Sequence, residues 1–545
     1  MYQDLIKPYV YGGRLRMDEN TRGWMWASDE LTKAYITGQY QVDPTNDGDA
    51  SALRKQFLVN QLINTIFEQN DAAVVKMLPV HRVSSTLVEY SRLDMAGGAG
   101  DGFVAETGMD GAFGLTAGED AFSRHTRVVK YLAAERQVGV VAQQVDNIAN
   151  PTTIAEQMAT LEIVKNMNLA VMFGDSGFNQ LSFDGLWRQI WDYVVASGDP
   201  SNLIDARNGI VDTEAIMIGQ SAIERQFGQP SILIQSADSY NDTEAEYLNN
   251  QRARYGYSGI AGSDVKTIRT AFGPIDRMYD KMLRANRPLN VLGAGMDGAM
   301  RTTADSGMTL SFASTPWVTG AGTTVAASAG TGPYYVNATR NTDSGVVAAP
   351  AVPVAVKNNN AQNNLSSGSA TYYYCVSIVQ NGREGVYWCL GASAGGTLTS
   401  ATGIAVTAGQ IIRLRLDTAA ITGYSSNVRT QMHFRIYRTA ALSSAPTSIN
   451  QFSFLMQNAV ASAGTTTDCY DNGMYIPGTA VNFMLTEKRN GRDAVIIGQL
   501  MEMLKRQLPN LPMADVFCML AFVTPIVFYG GHHAIYYNVR NSRPY

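Results

Sequence analysis

One stretch constrains this chain more than any other: residues 150–186 read as a single long helix with a marked start and stop. Asn150 is a good N-cap, because its side-chain oxygen can accept from an otherwise unpaired amide, and Pro151 suits the first helical position, where no amide donor is needed. Ile154, Met158, Leu161 and Lys165 keep the three-and-four spacing of one helix face, and Gly174 supplies the stop. About 23 residues at ~1.5 Å each make a rod of roughly 35 Å. The last two turns, Met167 to Phe173, are apolar on most sides, so the helix starts on a surface and ends inside a core. Such a rod can brace a large flat subunit.

A chain of 545 residues exceeds what one hydrophobic core supports, so two to four domains are expected. Charged residues make up only 16% against 45% hydrophobic, which points to surface buried against other subunits. The net charge of −5 excludes the electrostatic footprint of a dedicated nucleic-acid binder. Four cysteines in so long a chain do not make a disulfide scaffold, and Met1 to Leu5 show neither a basic nor an apolar signal region; cytoplasmic synthesis is expected. The apolar run Met513 to Tyr529 holds Asp515 and Pro525 and reads as buried strand, not as a membrane span.

Taken in order, residues 1–50 read as an arm rich in Gly, Asp, Asn and Tyr. Its end, Asp43 to Asp49, resembles half a calcium loop, but the position for a bidentate Glu holds Arg54, so a turn is expected. A helix is expected over Ser51 to Asn70. Val83 to Tyr90 and Arg124 to Tyr131 read as strands flanking a Gly-rich segment, a long hairpin with no core of its own that must lie on something else. A phosphate cradle is rejected for those glycines, since no Gly-Lys-Ser/Thr follows. Leu186 to Val195 is expected as strand or turn, Thr213 to Phe227 as a helix capped by Asp212, Ser231 to Gln235 as a buried strand, and Ala237 to Arg254 as a polar helix. That alternation reads as an α/β domain.

From Ser306 to Pro477 the composition turns to Gly, Ala, Ser, Thr and Asn, and strands of period two appear. Ile412, Leu414 and Leu416, and again Met432, Phe434 and Ile436, alternate with polar neighbours, as half-buried strands should. Together with Thr371–Val379, Gly385–Leu390 and Gln451–Gln457 they make an all-β sandwich, entered through a linker at Gly320 to Pro333. Cys375 and Cys389 lie symmetrically about Gly382 and face each other across a hairpin, as a disulfide or, more simply in a cytoplasmic product, as two reduced apolar neighbours. After residue 481 the earlier composition returns, with a helix expected at Ile496 to Leu508 and strands at Val516–Val523 and Ala534–Val539. The sandwich therefore reads as an insertion into one host domain.

The search for chemistry yields no catalytic, cofactor-binding or metal residues. Gly174-Asp175-Ser176-Gly177 invites comparison with a serine-protease nucleophile, but it ends a helix and has no partner motif. The histidines (His81, His125, His433, His532, His533) show no metal-ligand spacing, and His532 and His533 would face opposite sides of a strand. Carboxylate pairs such as Asp29-Glu30 and Glu119-Asp120 read as solvated turns.

The order of these parts resembles the major capsid proteins of tailed bacteriophages with the Hong Kong 97 fold. The likeness is carried by Leu87 to Leu93 entering the hairpin, Phe122 to Leu132 leaving it, Val171-Met172-Phe173-Gly174-Asp175, and Phe183-Asp184-Gly185-Leu186. The resemblance implies an α+β fold: an N-terminal arm (1–50), a first helix and entry (51–85), an extended loop (86–131), a peripheral domain (132–200) with spine helix 151–173, and an axial domain (201–305) completed by 478–545. The insert (306–477) resembles fibronectin-III or immunoglobulin-like modules, through Tyr372 to Tyr374, Asn381 to Gly385, Phe434 to Thr439 and Asp471 to Gly473, and by that likeness should project outward.

By the same resemblance the chain is not an enzyme. It should self-assemble as hexamers and pentamers into the icosahedral head of a virion, in the host cytoplasm, with a separate scaffolding protein, a portal, possible decoration proteins, weak non-specific contact to packaged double-stranded DNA, and no membrane. Only about 50 residues precede the first helix, so no maturation cleavage is expected, which intact mass would test. Relatives that weld their shells use a lysine near the loop tip; from Met77 to Val129 there is none, and Lys130 sits at the base, so virions boiled in denaturant should give monomer-sized bands. An encapsulin-like compartment and a surface adhesin or decoration protein are the competing readings, told apart by enzyme cargo without nucleic acid and by glycan or host-cell binding of residues 306–477.

Overall fold

The computed structural model describes residues 15–17, 24–26, 72–95, 121–144, 150–176, 181–197, 201–206, 209–245, 266–270, 272–283, 315–326, 355–356, 369–380, 383–392, 395–407, 410–417, 432–459, 466–471, 478–509 and 513–540, with a few isolated positions besides. Contacts divide the chain into Met1–Asn64 and Thr65–Tyr545. In the first unit Leu15–Met17 pairs antiparallel with Trp24–Trp26. The arm's turn at Asp43 and the helix expected over Ser51 to Asn70 lie outside the described residues. All that follows concerns the second unit.

The long helix forms as its sequence dictates, over Pro151–Phe173, with the Asn150 side chain accepting from the Thr152 amide. It lies on a four-stranded sheet in the order Val80–Arg82, Val495–Gln507, Ala514–Val527, Lys130–Gly139. Ala159 and Ile163 meet Ala134, Val138, Phe517 and Ala521 there, and three alanines at one contact let helix and sheet approach closely. The helix expected at Ile496 to Leu508 is instead the strand Val495–Gln507. Its Met, Leu, Glu, Lys and Gln favour a helix locally, but antiparallel pairing from Val495↔Val527 to Gln507↔Phe517 outweighs a propensity of a few tenths of a kcal/mol per residue.

The second sheet has seven strands in the order Ala355–Val356, Leu203–Asp205, Ala534–Val539, Ala480–Leu485, Ile232–Gln235, Gly273–Tyr279, Thr267–Thr270. The expected strands at 231–235 and 534–539 are both in it. One apolar core joins the two sheets: Val495, Ile497 and Val523 from the first meet Phe483 and Ile535 from the second around Leu169 to Phe173. The spine helix thus ends inside that core, as its apolar last turns require. Leu186–Ser197, expected as strand or turn, is a helix. Leu186, Trp187, Ile190, Trp191 and Val194 are all buried, a helical spacing that the β-favouring Trp, Ile and Val content conceals. Thr213–Arg225 is helical with the Asp212 side chain accepting from the Ala215 amide, and residues 237–245 are helical where a polar helix was expected.

Between these parts, two further sheets share one core. Trp317–Ala326, Gln410–Asp417 and Thr466–Asp471 form one; Arg383–Glu384, Tyr374–Gln380, Met432–Thr439 and Phe452–Ala459 form the other, with Trp388–Cys389 beside Tyr374–Gln380. Ile412, Leu414 and Leu416 face Val376, Phe434 and Ile436 across it. The expected linker at Gly320 to Pro333 is, as far as Ala326, part of a strand paired with Gln410–Asp417; a Cβ at Gly322 would lie 2.4 Å from Ile404, so the glycine serves close packing. Met432–Thr439 is buried on both faces, not half-buried. Its polar face is covered because Arg435 and Tyr437 both bind the buried Glu384 carboxylate. Cys375 and Cys389 are directly paired residues and joined as a disulfide, against the reduced pair favoured for a cytoplasmic product. Ala355–Val356, from within the inserted composition, extends the seven-stranded sheet by pairing with Ile204–Asp205.

Candidate assembly surface

The hairpin expected from the sequence is a two-stranded ribbon, Leu87–Met95 antiparallel to Ala121–Val128, running from Leu87↔Val128 to Met95↔Ala121. Its Gly-rich tip, 96–120, lies outside the described residues. Side chains alternate between faces along each strand. Val88, Tyr90, Arg92, Ser123, His125 and Arg127 are half-buried, whereas every residue of the other face is exposed. Against the expectation of a hairpin that must lie on something else, its inner face rests on its own subunit: the Tyr90 hydroxyl donates to the Val527 carbonyl at 3.2 Å, Tyr90 meets Phe528 edge-on, and Arg92 stands 5.0 Å over the Tyr529 ring.

The outer face carries Leu87 opposite Val128 and Leu93 opposite Phe122. These four are 44%, 49%, 56% and 71% exposed, more than isolated apolar residues on a soluble surface require. Six residues at ~3.4 Å put the two apolar pairs about 20 Å apart. The Glu89–Arg124 ion pair lies between them. A two-stranded ribbon is marginal alone, so this one depends on the contacts its inner face makes with Val527, Phe528 and Tyr529.

The segment that closes the spine helix anchors the base of the ribbon. A Cβ on Gly174 would lie 2.4 Å from the Phe183 carbonyl, and one on Gly185 2.5 Å from that of Ala170, so only glycines let the two backbones meet. The Gly185 amide donates to the Gly174 carbonyl at 2.8 Å. Ser176, in the protease-like tetrapeptide, donates through amide and hydroxyl to Asp184, whose other oxygen is 3.5 Å from Arg127 of the ribbon. This serine locks a turn. Asp175 is buried 3.5 Å from Arg188.

Beside the ribbon opens a cleft of about 1380 Å³, lined by Tyr90 and Arg92, by Tyr193 and Tyr529, by Phe227, and by a tight hairpin at 488–493. Tyr193 and Tyr529 hydroxyls meet at 2.9 Å and share Gln226; burial pushes the Tyr193 phenol up, so it stays a neutral donor. Burial, reinforced by Arg489, pulls His532 down to about 4, so its neutral Nε2 accepts from Arg489 at 2.9 Å. His532 and His533 sit in a short 3-10 turn and its cap, not on a strand; buried His533 accepts from the Thr486 amide through Nδ1. Among the described residues no group of three or more His, Cys, Asp or Glu side chains could hold a metal, and no helix is long and apolar enough to cross a membrane. Lys130 opens the Lys130–Gly139 strand at the ribbon's base. The cleft hairpin was not singled out from the sequence, although Asn490-Gly491 between charged flanks is a strong turn signal.

The chain is 25% identical over 263 residues to a protein provisionally named the major capsid protein of Enterococcus phage phiEF24C, covering 45% of this chain and 52% of that one. It is 24% identical over 207 residues to the major capsid protein of Staphylococcus phage K, covering 37% and 42% respectively. Its curated relatives are major capsid proteins of phages. The chain spans about half the length of the relatives it matches. No protein-family model matches. Among solved structures, the Cyanophage Pam1 capsid overlays with a TM-score of 0.40 at 7% identity, over 91% of this chain and 99% of that one. The SrpI encapsulin complex of Synechococcus elongatus PCC 7942 gives 0.34 at 7%, over 92% and 98%. TM-scores this low do not establish a shared fold.

Proposed function

We propose that this chain is a major capsid protein that self-assembles as hexamers and pentamers into the icosahedral head enclosing the double-stranded DNA of a tailed phage, with a Hong Kong 97-type subunit. The observation that carries the reading is the ribbon's division into an inner face seated on its own subunit and an outer face with two exposed apolar pairs. In a shell that outer face would be covered by the adjacent copy, and each subunit would supply burial that another lacks. The names of the curated relatives agree with it. The spine helix, braced on one sheet and ending in the core shared with the other, would keep the tile rigid while the ribbon reaches out.

The insert, 306–477, we read as an immunoglobulin- or fibronectin-III-like module facing outward from the shell. All the exposed large apolar residues among those described lie outside it, as suits a surface in contact with water. Scaffolding and portal proteins, packaged DNA in weak contact, and location in the virion belong to the same reading.

The test is electron microscopy of the purified protein, expressed with and without its phage's scaffolding protein. Closed shells or hexamers are expected. Phe122→Asp with Leu93→Asp should abolish them while leaving the subunit's thermal midpoint unchanged. Monomers under all conditions, or shells filled with enzyme cargo and free of nucleic acid, would overturn it.

A further inference from the structure

The cleft beside the ribbon runs along the edge of a strand. Tyr90, Ser91, Arg92, Leu93 and Asp94 line it in succession. Side chains of a strand alternate between its faces, so a cavity touched by consecutive residues lies against the strand's edge. Among the described residues Leu87–Met95 pairs only with Ala121–Val128, and its other edge makes no backbone–backbone hydrogen bond. Such an edge is a template for one more strand. Opposite it stands the hairpin of Lys488–Arg489 and Arg492–Asp493, so the cleft is a slot between two β elements.

Charge and exposed apolar surface define what strand would fit. Arg489 and Arg492 are directly opposed across the tight turn Asn490-Gly491, and like charges so placed destabilise a hairpin. Among the described residues neither has a carboxylate partner: Arg489 bonds the neutral His532, Asp94 pairs with Arg92, and Asp493 pairs with His81. Phe227 is 77% exposed at φ 61°, an outlying conformation for a bulky residue, although the more permissive Gly228 is next in sequence. Leu93 adds a second exposed apolar side chain to the same slot. We infer that the slot receives an acidic and apolar peptide segment of a separate partner protein, added as a strand to the free edge of Leu87–Met95. The main-chain ladder supplies affinity; acids on Arg489 and Arg492 and apolar side chains on Phe227 and Leu93 supply the choice of partner. At about 1380 Å³ the slot exceeds the ~300–1,000 Å³ of a small-molecule site and suits a few extended residues. Nucleic acid is the poorer occupant: it has no peptide groups to pair with the edge, and Asp94 and Asp493 oppose its phosphates. The site is complete in one subunit and does not depend on the shell reading.

The test uses the purified full chain and a fluorescein-labelled peptide alternating glutamate with valine, with binding read by anisotropy and by hydrogen exchange. Saturable binding is expected, with the outward-pointing amides of residues 88–94 exchanging more slowly only when the peptide is present. N-methylating alternate peptide amides, or Arg492→Glu in the chain, should each weaken binding about tenfold. Phe227→Gly should weaken binding severalfold while raising the thermal midpoint, because it relieves the backbone; a lower midpoint with unchanged affinity would assign the ring to the fold and not to a ligand. No binding, equal binding of the N-methylated or an all-lysine counterpart, or displacement by a single-stranded oligonucleotide would overturn the inference. So would outward amides already slow in the free chain, since the edge would then be filled by the chain itself or by a second copy.

Discussion

Asn168 of the spine helix donates through Nδ2 to the Asp280 carboxylate at 2.8 Å, and both side chains are buried. The same two side chains accept backbone amides of the segment before the four-stranded sheet: Val75 donates to Asn168 and Val74 to Asp280. The rod is therefore bolted, by a small polar cluster inside an apolar core, to the segment leading into one sheet and to the segment leaving a strand of the other. Burial raises the Asp280 carboxyl above its ordinary range despite these donors.

Asn168→Ala should be among the most damaging changes in the helix. It strands the Val75 amide and removes one donor from Asp280, and each unsatisfied buried group costs about 1–3 kcal/mol. Urea unfolding is expected to show a loss of about 3 kcal/mol; a loss below ~1 kcal/mol would mean water replaces the bonds.

Gly174→Ala and Gly185→Ala separate close approach from backbone freedom. Each new Cβ would fall within 2.4–2.8 Å of at least two backbone atoms that cannot move without opening the turn. A loss on the order of 3 kcal/mol is expected for each, as for severe overpacking. Gly491→Ala is the control: nothing lies within 4 Å of its Cβ, so only its positive φ of 75° is penalised, by about 1 kcal/mol. Equal losses at all three positions in chemical denaturation would reject the packing account.

Why some of this was legible in the sequence follows from the same residues. Asn150, Pro151 and Asp212 act on neighbouring amides, so local chemistry sets those helix starts, and Ala534–Val539 is a strand flanked by pairing on both sides. Val495–Gln507 and Leu186–Ser197 depart from their local patterns in opposite directions because distant partners decide them: Ala514–Val527 and Val80–Arg82 for the first, the shared core for the second. The ribbon was legible as a hairpin, but its two faces were not, since the half-burial of Tyr90 depends on Phe528, more than four hundred residues away. The cleft combines positions near 90, 227 and 490, which no local pattern links.

Acid should weaken the host part through its histidines. Burial pulls His533 to about 3 and His532 to about 4, against about 6.5 for an unfolded histidine. Below pH 6.5 the unfolded chain binds protons that the native one refuses, so this stability is present above about 6.5 and is lost as pH falls toward 3–4. Asp280 opposes it, since its raised carboxyl favours the fold on acidification. Urea midpoints measured from pH 7.5 to 4.5 should fall, and less steeply in His532→Asn with His533→Asn; an unchanged slope in that variant would assign the acid response elsewhere.

The disulfide gives the insert a redox-dependent margin. Cys375 and Cys389 are buried among Tyr373, Tyr387 and Phe454, while Cys469 and Cys518 are buried and take part in no disulfide. A cross-link spanning 14 residues removes unfolded-state entropy worth about 3 kcal/mol. A chain made in a reducing cytoplasm would fold without it and gain it on release, because the cross-strand register holds the two residues opposite one another before any oxidation. Alkylation in denaturant is expected to label two cysteines without reductant and four with it. Reductant, or Cys375→Ala with Cys389→Ala, should lower the stability of the insert's unfolding transition by about 3 kcal/mol, with little effect on the transition reported by Trp187 and Trp191 in the host core. Four labelled cysteines in protein from oxidised particles would show that the pair stays reduced.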